Sequence, residues 1–113
     1  MRLIQTPITI VELRQIAAKG FGILVKAVVD VEKRVMAIDA ELHADEEAYL
    51  LEQGSNQLNL WGINLYPDEK EENFIEFDSM INLRPTQSNR SRSVEDPVIQ
   101  KKIIGIVTQL ILK

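Results

Sequence analysis

Three of the six arginines in this chain, Arg84, Arg90 and Arg92, fall within nine residues. The segment reads Arg84-Pro85-Thr86-Gln87-Ser88-Asn89-Arg90-Ser91-Arg92, so guanidinium groups are interleaved with Asn89 and Ser91. Such forks set among amide and hydroxyl donors suit oxyanions such as phosphate or carboxylate. The remainder of the chain is acidic, with a net charge of −4 overall, and this local reversal marks the first candidate binding site. If the loop folds back, Arg84 and Arg90 hold the oxyanion bidentately and Asn89 and Ser91 add hydrogen bonds. One detail works against a phosphate cradle. Asp96 sits at the N-cap of the following helix, which therefore already carries an anion. The plainer alternative is internal pairing with the acidic stretch 39–52 or with Glu76 and Asp78, because surface ion pairs are common and functionally silent. The two separate by experiment: pairing expects Arg90→Ala to lose stability, and ligand binding expects it not to.

His43 is the single histidine. As a general acid or base it needs a nucleophile and an orienting acid; Asp45 is close in sequence, and Ser55 or Ser79 could be close in space. No Gly-x-Ser-x-Gly string accompanies it. As a metal ligand it would draw on Asp45, Glu46 or Glu47, a poor zinc set, although carboxylates alone can hold Mg²⁺ or Mn²⁺. The simpler role is at a strand–helix junction, helping to cap the helix. No catalytic residue, metal site or cofactor is assigned. Asn64 and Asn82 join Arg84 on what reads as an open sheet face, and Tyr66 alone is too little for an RNA-binding sheet. Trp61 belongs to an apolar alternation and reads as core. Phosphate loops, dinucleotide fingerprints and HExxH strings are absent.

These side chains need a scaffold, and 113 residues suffice for one domain, 1–113, with one modest core. Hydrophobic content of 45% and charged content of 27% are those of a globular chain, while 5% aromatics make the core aliphatic. No apolar run reaches the ~20 residues of a membrane span, and Gln5, Thr6 and Pro7 interrupt any leader-like start. Zero cysteines exclude disulfides and thiolate chemistry. A cytoplasmic location is the expectation, without membrane partners, and the acidic balance disfavours nucleic acid.

Thr9-Ile10-Val11-Glu12 is a capping box opening a helix over Ile10 to Lys19. Ile23 to Val31 and Val35 to Ile38 are rich in β-branched residues and pair as a hairpin around Glu32-Lys33-Arg34. Ala44 to Gln53 reads as a helix, with Asp45, Glu46 and Glu47 in its first turn, where the helix dipole favours them. Leu58 to Tyr66 and Phe74 to Leu83 read as strands; the second alternates Ile75, Phe77, Ile81 and Leu83 on one face. Asp96-Pro97 starts the final helix, which is apolar nearly all round and so buried on more than one side, hinting at a homodimer through this C-terminal helix.

Several strings together are distinctive: Glu41-Leu42-His43-Ala44-Asp45, Leu60-Trp61-Gly62-Ile63-Asn64-Leu65-Tyr66-Pro67, Ile75-Glu76-Phe77-Asp78-Ser79, Ile81-Asn82-Leu83-Arg84-Pro85, Asn89-Arg90-Ser91 and Asp96-Pro97. On these, covering nearly the whole chain, the sequence resembles a family of short bacterial proteins known only as a domain of unknown function. The resemblance implies a stand-alone cytoplasmic protein and carries no activity across.

The expected fold is α+β, in the order α-β-β-α-β-β-α, with a four-stranded, mainly antiparallel sheet and helices packed on one face. The expected role is a non-catalytic binding or interaction module. It would recognise a small oxyanion or an acidic protein segment through Arg84, Asn89, Arg90, Ser91 and Arg92, with Asn64 and His43 on the adjoining sheet face. The alternative is a hydrolase or RNase-like enzyme using His43 with Arg84 or Arg90.

Overall fold

Residues 1–113 are all described in the computed structural model. The chain runs β1 (Arg2–Ile4), β2 (Ile8–Thr9), α1 (Ile10–Lys19), β3 (Val25–Asp30), β4 (Val35–Ile38), α2 (His43–Glu52), β5 (Leu60–Leu65), β6 (Ile75–Glu76), α3 (Pro97–Leu110) and β7 (Ile111–Leu112). The capping box is present: the Thr9 hydroxyl accepts from the Glu12 N–H, and the Glu12 carboxylate accepts from the Thr9 N–H. At α3, Asp96 accepts from the Val98 N–H at 2.9 Å, and Pro97 stands where no N–H is needed.

β3 and β4 pair antiparallel as expected. Their turn is held by Asp30, whose carboxylate accepts from the N–H groups of Glu32 and Lys33, each at 2.9 Å. Ser55 donates to the other Asp30 oxygen at 2.7 Å, and Arg34 closes the turn in the left-handed region at φ 59°. An aspartate placed to collect two turn N–H groups thus holds a hairpin whose turn, Glu32-Lys33-Arg34, contains no Asn-Gly pair.

The sheet has five strands, not four, in the order β1-β4-β3-β5-β6 and antiparallel throughout; β2 and β7 form a separate parallel pair. The helices also cover both faces, which corrects the one-sided arrangement expected. α1 and α3 bury Leu13, Ala17, Ile103, Ile106 and Val107 against Ala27, Val29, Met36, Ile38, Trp61 and Ile63. On the opposite face, α2 brings Leu50 onto Val28, Ala37 and Leu60. β5 is buried along its whole length and β3 at every residue but Lys26, so their alternation sorts residues between two cores rather than between core and water. Each large aliphatic side chain so buried contributes ~1.5–3 kcal/mol.

The strand expected over Phe74 to Leu83 is ordered as β6 for two residues only. Beyond it, Met80–Asn82 form a short helical turn, started by the Ser79 hydroxyl accepting from the Ile81 N–H. The turn carries the chain from one sheet face to the other. Phe77 packs against the α1–α3 core and Ile81 against the α2 core, although a straight strand would put both on one side. Gly62 permits this crossing, because a Cβ there would lie 2.6 Å from Ser79 Cβ and Oγ. No helix is long and apolar enough to cross a membrane.

Candidate functional site

The arginine segment is a tightly bonded loop organised around Asn89. The backbones of Arg84 and Asn89 exchange both hydrogen bonds, at 2.8 and 3.1 Å, and Ser88 turns the chain between them at φ 61°. The buried Asn89 amide donates to the carbonyls of Asn82, Ser91 and Ser93, and its oxygen accepts from the Glu95 N–H at 2.9 Å. Asn89 is therefore a scaffold residue, and its hydrogen-bonding capacity is filled by the loop itself. Ser91 accepts from the Ser93 N–H at 3.2 Å.

The three arginines diverge. Arg84 is 8% exposed, and its guanidinium donates to Glu47 at 3.1 Å, to the Gln57 carbonyl at 2.9 Å and, at 3.4 Å, to Gln87. It also lies 4.9 Å from the centre of the Trp61 ring, leaving only Nε without a partner. Burial lowers its pKa and Glu47 opposes that shift, yet a guanidinium stays charged at neutral pH. Arg92 pairs with Asp78 at 2.7 Å near the surface. Arg90 is exposed, and its side chain joins no ion pair and no hydrogen bond within the chain. Its backbone N–H donates to Glu95 at 3.0 Å, which sets a carboxylate beside it. Internal pairing thus accounts for Arg84 and Arg92, and Arg90 stands outside it.

His43 begins α2 but does not cap it; the N-cap is Leu42, which makes no side-chain bond. Instead the ring reaches the sheet, where Nε2–H donates to the Ile63 carbonyl at 2.7 Å. Burial, the largest cause, lowers its pKa, the Ile63 bond opposes, and positive charge at Lys26 and Arg92 adds to the lowering. The imidazole is consequently neutral at pH 7, with its Nδ1 lone pair unused by the protein. Asn64 faces the same side: its amide donates to Glu76 at 2.9 Å and to the Asp78 carbonyl at 3.3 Å, while its own oxygen is buried without a partner. Tyr66 donates to the same Glu76 oxygen at 3.0 Å. The fold therefore places His43 in the electrostatic neighbourhood of Arg92 and Asp78, and it places Arg84 one helical turn further along α2, at Glu47.

Two features escaped sequence reasoning. Asn82 is not a groove residue; it is fully buried, and its side-chain amide accepts from the Gly62 N–H and donates to the Gly62 carbonyl, both at 2.9 Å. It pairs with β5 as a strand would, at the point where β6 has ended. Glu46, read from the sequence as one of three first-turn acids favoured by the helix dipole, is wholly buried with Oε2 accepting from the Ala40 N–H at 3.1 Å and Oε1 unpartnered. Burial pushes its carboxyl up to about 9, against the pull of the Ala40 N–H and Lys26, so it is protonated at neutral pH. Nothing in the run Asp45-Glu46-Glu47 distinguishes the middle carboxyl except its spacing of four from Leu50, which puts it on the buried side.

A further concavity lies elsewhere. A groove of about 640 Å³ runs between α3 with β7 and the segment 71–77, lined chiefly by Phe74, Phe77, Ile104, Val107, Ile111 and Leu112. That volume is within the usual span of ligand seats. The near-continuous hydrophobicity of the last helix was the signal for it. No curated protein and no solved structure matches the chain. The family described as protein of unknown function (DUF5674) matches residues 2–110, and the chain belongs to it.

Proposed function

We propose that the protein is a non-catalytic binding module whose recognition surface is the apolar groove between α3 and the segment 71–77. The observation that carries this reading is the groove itself, with apolar side chains left at the surface on its α3–β7 wall: Ile104 is 45% exposed and Leu112 53%. Contiguous apolar surface of this kind marks interaction sites in soluble proteins. The polar candidates, by contrast, are largely engaged in holding the loop and the sheet together. His43 keeps one free ring nitrogen, but Arg84, one of the two arginines an oxyanion mechanism would use, is engaged with Glu47, which favours binding over hydrolysis. The test is a titration with anilinonaphthalene sulfonate. Saturable fluorescence enhancement that Ile104→Glu abolishes supports the groove; a dye that does not bind, or binds the variant equally, removes it.

A second reading keeps the arginine loop as a seat for an oxyanion or an acidic segment, and its support is the unpaired Arg90. Inorganic phosphate, titrated while the amide resonances of Arg90 and Ser91 are followed, decides it. Saturating shifts sustain that reading and flat spectra end it.

A further inference from the structure

We infer that His43 and Lys26 form a seat for a small oxyanion that keeps a hydroxyl of its own, as monohydrogen phosphate and α-hydroxy carboxylates do. The seat lies on the α2 face of the sheet, apart from the groove on the α1–α3 side. Its geometry follows from the β3–β5 ladder. Ile63 pairs with Ala27, and the His43 ring reaches the Ile63 carbonyl at 2.7 Å, so the ring stands over that rung. Lys26 and Asn64 form the next rung, ~3.4 Å along the strands. They share the alternation of Val28 and Leu60, so both side chains project to the face that carries α2. Asp78 and Arg92, paired at 2.7 Å, complete the surround, because the Asp78 carbonyl accepts from the Asn64 amide at 3.3 Å.

Two groups in this constellation have unspent capacity, and they are of opposite kinds. Nε2–H of His43 is committed to Ile63, which leaves Nδ1 a bare acceptor in the neutral ring. That nitrogen is not sealed from solvent, unlike the unpartnered oxygen of Asn64. Lys26 is the donor. It is half-buried and joins no hydrogen bond and none of the chain's four ion pairs. Its ammonium lies 5.1 Å from the centre of the Phe21 ring, and it lines a cavity of about 240 Å³ beside residues 39–41, ample for a small ion. The other charges of that lining, Lys19, Asp39 and Glu41, are all exposed and screened by solvent. Carboxylates on the sheet face are engaged: Glu76 accepts from Asn64 and Tyr66, and Asp78 from Arg92. An ammonium calls for an anion, and a bare imidazole nitrogen calls for a proton donor. One small ion meets both demands only if it carries negative charge and a hydroxyl close together. Sulfate would set a lone pair against Nδ1 and is disfavoured.

The test titrates the full chain with phosphate, sulfate, lactate and acetate at neutral pH and fixed ionic strength. The ring nitrogens of its single histidine are followed by NMR. Phosphate should bind at least about tenfold tighter than sulfate, or lactate than acetate, and the bound ion should shift the Nδ1 resonance. Which of the two pairs responds tells a phosphate source from a hydroxy-acid source. Lys26→Met keeps the length of the side chain and should weaken that binding at least about tenfold, with circular dichroism unchanged. Arg90→Ala and Ile104→Glu should leave it unaltered, since neither position belongs to the seat. The proposal falls if neither hydroxyl-bearing ion binds, or if the hydroxyl-free counterpart binds equally well. It falls too if Lys26→Met binds as the wild type does. Phosphate shifts confined to Arg90 and Ser91, with a silent imidazole, also overturn it and assign the ion to the arginine loop.

Discussion

Glu46 carries the sharpest residue-scale consequence. Its folded pKa of about 9 lies above the ordinary value of 4.5, so the folded state holds a proton that the unfolded chain releases. The stability this group contributes is complete below about 4.5 and is lost as pH rises towards 9, amounting to about 3 kcal/mol between 4.5 and neutrality. Glu46→Gln keeps the acceptor for the Ala40 N–H and removes the titration. Urea unfolding should therefore show the variant more stable than wild type at pH 8 and no longer declining through the alkaline range; an unchanged slope would reassign the effect. His43 acts in the opposite direction. Its lowered pKa means that the unfolded state takes up a proton first, so its contribution is present above 6.5 and lost as pH falls through the folded value. Replacing His43 with Gln should flatten the acid limb of the same profile. Arg84 and Glu47 form a nearly enclosed pair, so Arg84→Met strands a carboxylate and should cost about 3–5 kcal/mol, read as a lower denaturation midpoint. Arg90→Ala touches no internal partner and should change stability by less than about 0.5 kcal/mol. Sequence composition placed the arginines correctly in one loop but could not tell these fates apart, because the distinction depends on which carboxylate α2 presents to position 84.

At the scale of elements, the segment 77–84 shows where periodicity misleads. Alternation of Ile75, Phe77, Ile81 and Leu83 has the appearance of one strand, yet the helical turn at Met80–Asn82 redirects its second half into the other core. Local propensity could not reveal this, since the determinant is a cross-chain pairing: Asn82 completing β5 at Gly62. Asn82→Ala leaves both Gly62 backbone groups without a partner and should cost about 2–4 kcal/mol. Gly62→Ala should cost about 1–3 kcal/mol by forcing Ser79 away, measured in the same denaturation experiment. Elements whose signals are local were read well. The capping box of α1, the Asp96-Pro97 start of α3 and the β3–β4 hairpin all stand within a residue or two of their expected positions. Short strands with few residues to form a pattern, β1, β2 and β7, were invisible.

At the scale of the molecule, the two cores divide its tasks. The α1–α3 side, containing most of the buried apolar residues, carries the groove, whereas the smaller α2 side carries the buried titratable groups His43, Glu46 and the Arg84–Glu47 pair. The sheet between them was legible as antiparallel; its two-sided covering was not, because a small-residue strand such as Val25–Asp30 reads alike whether one face or both are covered. The parallel ladder of β2 and β7 joins Ile8 to Ile111, near opposite ends of the chain. A contact between residues so far apart in sequence must wait until the intervening polypeptide has condensed, which makes it a late event in the folding reaction. Stopped-flow chevrons of Ile111→Ala should accordingly show a refolding rate close to that of wild type and a faster unfolding limb, the signature of a clasp that shuts after the transition state and governs how long the native state persists.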